Sequence, residues 1–109
     1  MSESDSSKAP ITIPSETTLV QAAKLSLQSS KPICFYFYLE SCKGNVTIAK
    51  NSTDKIIFKN TEEHTSPISN IYKVESEYLI VTKNTIYIIS ASSKVSQLPE
   101  DFDGFEDYE

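Results

Sequence analysis

The chain has 109 residues, a formal net charge of −5, two Cys, one His, no Trp and no Arg, since all ten basic residues are Lys. That length bounds it to one small domain that folds without metal or disulfide staples, and the missing Arg removes the forked donor that phosphate and guanine recognition favour. No apolar run approaches the roughly 18 residues of a membrane span, and neither Cys34, Cys42 nor His64 falls at metal-ligand spacing, so no membrane span, metal or other cofactor is expected.

Met1 to Pro14 reads as a flexible arm, rich in Ser and acids, with Ile11 and Ile13 as its apolar anchors beyond Met1 and Ala9. Ile11-Thr12-Ile13 alternates like an edge strand for a neighbour, and Ser2 and Ser4 lie close to acids, as phosphorylation sites do. With no apolar signal segment at the N-terminus, the expected setting is the cytoplasm or a particle assembled there. The two sequons at Asn45 and Asn51 are then chance matches, and the cysteines are free thiols rather than a disulfide or redox pair.

A single globular domain is expected from Ser15 to Ser96. Ser15 to about Ser29 is its helix: Ser15 caps, Glu16 suits the positive end of the dipole, and Leu19, Ala22, Ala23 and Leu25 to Leu27 give an apolar stripe that packs on a sheet. Lys24 is its one basic residue, too few for a membrane-surface helix. Ile33 to Leu39, ICFYFYL, reads as a central strand buried on both sides. Lys43-Gly44-Asn45 turns into a strand from Val46 to Ala49, and Asn51 to Asp54 turns into a strand from Lys55 to Lys59. Asn60 to Pro67 reads as a solvated loop; its Glu62-Glu63-His64 offers acid and base groups but no positioning partner.

The densest β-forming stretch runs from Ile68 to Ser90. A two-residue turn at Lys83-Asn84, where Asn tolerates the left-handed conformation, sets Val81 against Ile86, Ile80 against Tyr87, Leu79 against Ile88 and Tyr78 against Ile89. A second turn at Glu75-Ser76 sets Lys73 against Tyr78, Tyr72 against Leu79 and Ile71 against Ile80. Both faces of this meander are apolar, one with Tyr72, Leu79, Val81, Ile86 and Ile88, the other with Ile71, Tyr78, Ile80, Tyr87 and Ile89. Both therefore need cover: the helix takes one, and Tyr78, Ile80, Tyr87 and Ile89 are the expected interface with a second subunit.

Thr65-Ser66-Pro67-Ile68, Ile71-Tyr72-Lys73-Val74, Glu77-Tyr78, Val81-Thr82 and Asn84-Thr85-Ile86-Tyr87 resemble a short β-rich segment of small uncharacterised proteins of giant DNA viruses. The likeness extends back through Lys31-Pro32-Ile33, over about the middle two-thirds of the chain. It implies a viral setting with a virion or assembly role, and it brings no catalytic residues.

Gln97 to Glu109 leaves the domain as an acidic aromatic tail. Its last ten residues hold six of the fifteen acids; the remainder, ten Lys against nine acids, is a body of +1 with no basic footprint for duplex nucleic acid. Phe102, Phe105 and Tyr108 recur every three residues among Asp101, Asp103 and Glu106, a segment that suits a partner groove with apolar pockets and a basic rim.

The expected fold is mainly β (α+β): one N-terminal helix followed by a six-stranded, mostly antiparallel sheet or small partly closed barrel. The expected function is that of a non-enzymatic structural or protein–protein interaction module, virion-associated, whose tail docks on a partner. The alternative is a single-stranded nucleic-acid-binding module resembling an OB-fold, with Tyr36, Tyr38 or Tyr72 stacking on bases and the tail regulating the groove.

Overall fold

The computed structural model of the chain describes residues 12–102. In chain order its elements are α1 (Glu16–Ser29), β1 (Ile33–Cys34), α2 (Tyr38–Cys42), β2 (Thr47–Lys50), β3 (Lys55–Asn60), β4 (Glu63–His64), β5 (Ile68–Val74), β6 (Glu77–Thr82), β7 (Ile86–Ser90) and β8 (Lys94–Gln97). They build a mixed α+β fold with one main N-terminal helix and two four-stranded sheets, ordered β1-β7-β6-β5 and β4-β3-β2-β8. The single six-stranded sheet or partly closed barrel expected from the sequence is thereby corrected. No described helix is long and apolar enough to cross a membrane.

α1 starts and stops on the signals its ends carry. Ser15 is extended, with φ −64° and ψ 156°, and its Oγ accepts from the Thr18 N–H at 3.2 Å, satisfying one of the helix's orphan donors. At the other end Ser30 turns left-handed with φ 60° while its N–H donates to the Ser26 carbonyl at 2.8 Å, and Pro32 follows, which cannot continue a helix.

The meander has the expected register, with Val81 opposite Ile86, Ile80 opposite Tyr87, Tyr72 opposite Leu79 and Lys73 opposite Tyr78. The turn chemistry is reversed from the sequence reading. Among the described residues the left-handed non-glycine positions are Ser30 and Glu75, not Lys83 or Asn84. The Lys83-Asn84 turn is instead held by the Thr82 N–H and hydroxyl, both donating to the Thr85 carbonyl. Glu75, exposed and at φ 54°, bears the steric cost a Cβ incurs there. Replacing it with Gly is expected to raise stability by about 0.5–1 kcal/mol, read as a rise in the urea midpoint; an unchanged midpoint would show that the turn stores no such cost.

Each face of the β1-β7-β6-β5 sheet is covered within the chain. On one face Leu79 and Ile88 pack with Ala22 of α1 and Tyr38 of α2, edged by Leu19, Leu25, Ile33 and Val74. On the other, Ile80, Tyr87 and Ile89 form a core with Phe37, Val46, Ile48 and Ile57, and Tyr78 packs half-buried against it. Tyr78, Ile80, Tyr87 and Ile89, the expected subunit interface, therefore face the second sheet of the same chain. The β4-β3-β2-β8 sheet is in turn covered on its outer face, where Ala49 and Ile56 pack with Leu98, edged by Phe58 and Phe102. The layers run α1, first sheet, second sheet, C-terminal segment, so the folded body extends past Ser96.

Candidate docking surface

The run ICFYFYL does not form the expected central strand. Only Ile33 and Cys34 pair, parallel to β7, after which the chain turns helical: the Tyr38 N–H donates to the Phe35 carbonyl at 3.0 Å and the Ser41 N–H to the Phe37 carbonyl at 2.9 Å. Consecutive residues thereby enter different cores. Phe37 meets Tyr87 between the sheets with ring centroids 5.7 Å apart, while Tyr38 packs under α1. Burial pushes the Tyr38 hydroxyl above its ordinary pKa, and Cys42 and Glu77 act in the same direction.

α2 is fixed from below and stopped sharply. Ser41, fully buried, accepts from the Ser90 N–H at 2.9 Å and donates to the Tyr38 carbonyl. Gly44, at φ 83°, follows the helix end and donates to the Ser41 carbonyl at 3.1 Å, a left-handed exit that glycine adopts without steric cost.

This anchoring leaves apolar side chains outside. Phe35 is 48% exposed and Leu39 52%, and they lie four residues apart, on one side of the helical turn. Ile13, 65% exposed, stands beside them. With Pro14, Leu19 and Tyr38 they line a cleft of about 340 Å³ whose one further lining residue is Thr12. Among the described residues no charged side chain lines it.

Beside the cleft lies a small polar cluster. The Tyr36 hydroxyl donates to Glu63 Oε1 at 2.7 Å, and Lys59 Nζ lies 3.2 Å from the same oxygen. The Tyr36 bond, with Lys59 next in weight, holds the Glu63 carboxyl below its ordinary value, and Glu63 in turn raises Tyr36 and Lys59. Glu40 is lowered chiefly by the Asn45 amide, 2.9 Å away. The exposed Tyr36–Glu63 bond joins the 35–37 turn to the β3–β4 hairpin.

The stretch read as a solvated loop is partly buried. His64 lies in β4 with Nδ1 3.0 Å from the Thr65 carbonyl, its ring stacked on Phe58 and edge-on to Phe102 at 5.0 Å. Thr65 accepts from the Ile57 N–H at 3.0 Å and donates to the Ser66 carbonyl. Glu62, Glu63 and His64 border one cleft of about 280 Å³, where Glu63 is bonded to Tyr36 and Lys59. Among the described residues no three His, Cys, Asp or Glu side chains gather as metal ligands, and Cys34 and Cys42 are free thiols.

Of the expected partner-binding tail, Asp101 is exposed, whereas Phe102 is half-buried against its own second sheet. Asp103, Phe105, Glu106 and Tyr108 lie outside the described residues. The three tyrosines considered for base stacking share no platform: Tyr38 is buried, Tyr36 is tied to Glu63, and Tyr72 stands beside α1. Sequence reasoning missed the Phe35–Leu39 cleft because it assigned those residues to a strand; a helical reading of Phe35, Leu39 and the Gly44 stop would have found it. No family model, curated protein or solved structure matches the chain.

Proposed function

We propose that the protein is a non-enzymatic interaction module that docks on another protein through the cleft between the start of α1 and α2. The observation that carries this reading is the half-exposure or more of Ile13, Phe35 and Leu39 around one uncharged cleft. Contiguous exposed apolar surface marks interaction sites in folded proteins, and the cleft lies at the small end of the volumes that accept ligands. Its fitting occupant is a segment of a partner protein that offers bulky aliphatic anchors. A phosphate-bearing or carboxylate-bearing ligand would find no counter-charge there. The β-rich viral resemblance supports a setting in the cytoplasm or in a virus particle, with an assembly role.

The variants Phe35→Ser and Leu39→Glu test this reading. Each is expected to keep the urea midpoint, within about 0.5 kcal/mol of the parent as for surface positions, while losing a partner that co-purifies with the parent chain and rebinds it when purified. Retention of every such partner by both variants would sink the proposal.

A further inference from the structure

A second surface, distinct from the cleft, carries an inference of its own. A groove of about 630 Å³ runs between α1 and the β5 edge of the first sheet. Leu25, Val74 and Leu79 form its apolar lining, Tyr72 is half exposed beside them, and its only charged lining residues are Lys24 and Lys73. Both lysines are exposed, and neither has an ion pair among the described residues. An apolar groove with a basic rim selects an acidic segment that carries large apolar side chains.

The chain itself contains such a segment, Asp101-Phe102-Asp103-Gly104-Phe105-Glu106-Asp107-Tyr108-Glu109. Where this segment departs from the fold decides which groove it meets. After β8 the chain is fastened over the outer face of the second sheet: the Leu98 N–H donates to the Lys50 carbonyl, and Glu100 accepts from the Ser52 N–H and hydroxyl. Phe102 then meets His64 of β4. The inner face of the second sheet packs on the first sheet, and α1 lies on the far face of the first. The tail thus departs from the layer opposite to the α1–β5 groove.

Reach excludes its own groove. Phe105 and Tyr108 lie three and six residues beyond Phe102, so they extend at most roughly 11 and 22 Å from it. Two stacked layers of about 10 Å each separate the two places, so Phe105 cannot reach the groove, and a path around the sheets is longer than the direct one. The pocket nearest the point of departure is lined by Glu62 and Glu63, which repel an acidic segment. A second copy has neither obstacle.

We propose that the acidic aromatic tail of one copy docks in the α1–β5 groove of a second copy. Phe105 and Tyr108 cover Leu25, Tyr72 and Val74, and Asp103, Glu106 and Asp107 meet Lys24 and Lys73. The contact is head-to-tail, so every copy offers one tail and one groove, and assemblies close as rings where the rotation closes and extend as filaments where it does not.

Light-scattering mass of the full-length chain against concentration and salt tests this. The parent is expected to rise above monomer mass with concentration and to fall back as salt screens the rim. The tail variant F105A/Y108A and the groove variant K24E/K73E are each expected to stay monomeric. Their equimolar mixture pairs one sound tail with one sound groove and is expected to stop at the dimer. A monomeric parent, variants that assemble like the parent, or a mixture that stays monomeric would each overturn the proposal. Should charge reversal lower the urea midpoint, K24Q/K73Q takes its place with the same expected loss of assembly. The Phe35–Leu39 cleft is untouched by these variants, so failure here leaves the cleft reading standing, and the reverse also holds.

Discussion

Replacing Ile80 with Ala is expected to lower the stability of the fold by about 4 kcal/mol, within the 2–5 kcal/mol seen for such truncations. Ile80 sits on β6, an interior strand, between Ile71 and Tyr87, and its side chain has no solvent exposure. It points into the core between the sheets with Ile48, Ile57, Phe37 and Ile89. Because β6 is hydrogen-bonded on both sides, the backbone cannot move in to fill the void, and the full cavity cost stands. Ile80→Val removes one methylene and is expected to cost about 1 kcal/mol. Urea unfolding of both variants checks the pair; an Ile80→Ala loss below that of Ile80→Val would mean that the two sheets do not pack as described.

Glu77→Ala is the second large loss, expected at about 2 kcal/mol, through lost hydrogen bonds at the head of α1 rather than lost volume. Glu77 is 6% exposed and opens β6 beneath the start of α1. Its Oε1 accepts from the Thr18 hydroxyl at 2.6 Å and from the Ser15 N–H at 3.3 Å, while Thr18 lies 2.8 Å from the Ser15 hydroxyl that caps the helix. The carboxylate therefore serves the positive end of α1 from a different element, where a negative charge stabilises the helix dipole. Truncation leaves the Ser15 N–H without its side-chain acceptor and removes the closest acceptor of the buried Thr18 hydroxyl, to which the Val74 carbonyl at 3.1 Å remains. Glu77→Gln keeps an acceptor oxygen and is expected to lose less than half as much. Amide hydrogen exchange along α1 should accelerate in Glu77→Ala more than exchange in β2 or β3; uniform acceleration would argue against a local tie.

The meander was readable because its rules are local. Side chains alternate strictly, so once the turns at Glu75-Ser76 and Lys83-Asn84 are two residues long, the pairing from Ile71 to Ile89 has one solution that keeps both apolar faces in register. The helix was readable for the same reason, since Ser15 and Glu16 mark its start and Leu19, Ala22 and Leu25 carry its apolar stripe. ICFYFYL was not readable, because a short apolar run has no decisive period: Phe37 and Tyr38 are apolar neighbours since they feed two cores through a helical turn. β8 was missed because Lys94-Val95-Ser96-Gln97 carries one apolar residue and its partner, β2, lies far back in sequence. Phe102 looked like a partner anchor among acids, yet the apolar patch of Ala49, Ile56 and Leu98 lay on its own chain. His64 shows the same limit, since its burial depends on Phe58 and Phe102 rather than on the acids beside it. The Phe35–Leu39 cleft inherits the misreading of the strand, and the tail beyond Phe102 lies outside the described residues.

The two parallel pairings, β1 with β7 and β2 with β8, exchange the ends of the chain between the sheets, and this bears on how the protein is made. On the ribosome, β5, β6 and β7 close through short turns as soon as they emerge, because contacts of low sequence separation form early. β1 has by then waited through most of synthesis for its place beside β7. β2, synthesised early, has a bare edge until β8 appears, and an unpaired edge invites pairing with a neighbouring nascent chain. The state that lacks β8 is therefore the hazardous one, and a chain cut between β7 and β8 would present a finished meander beside the open edge of β2.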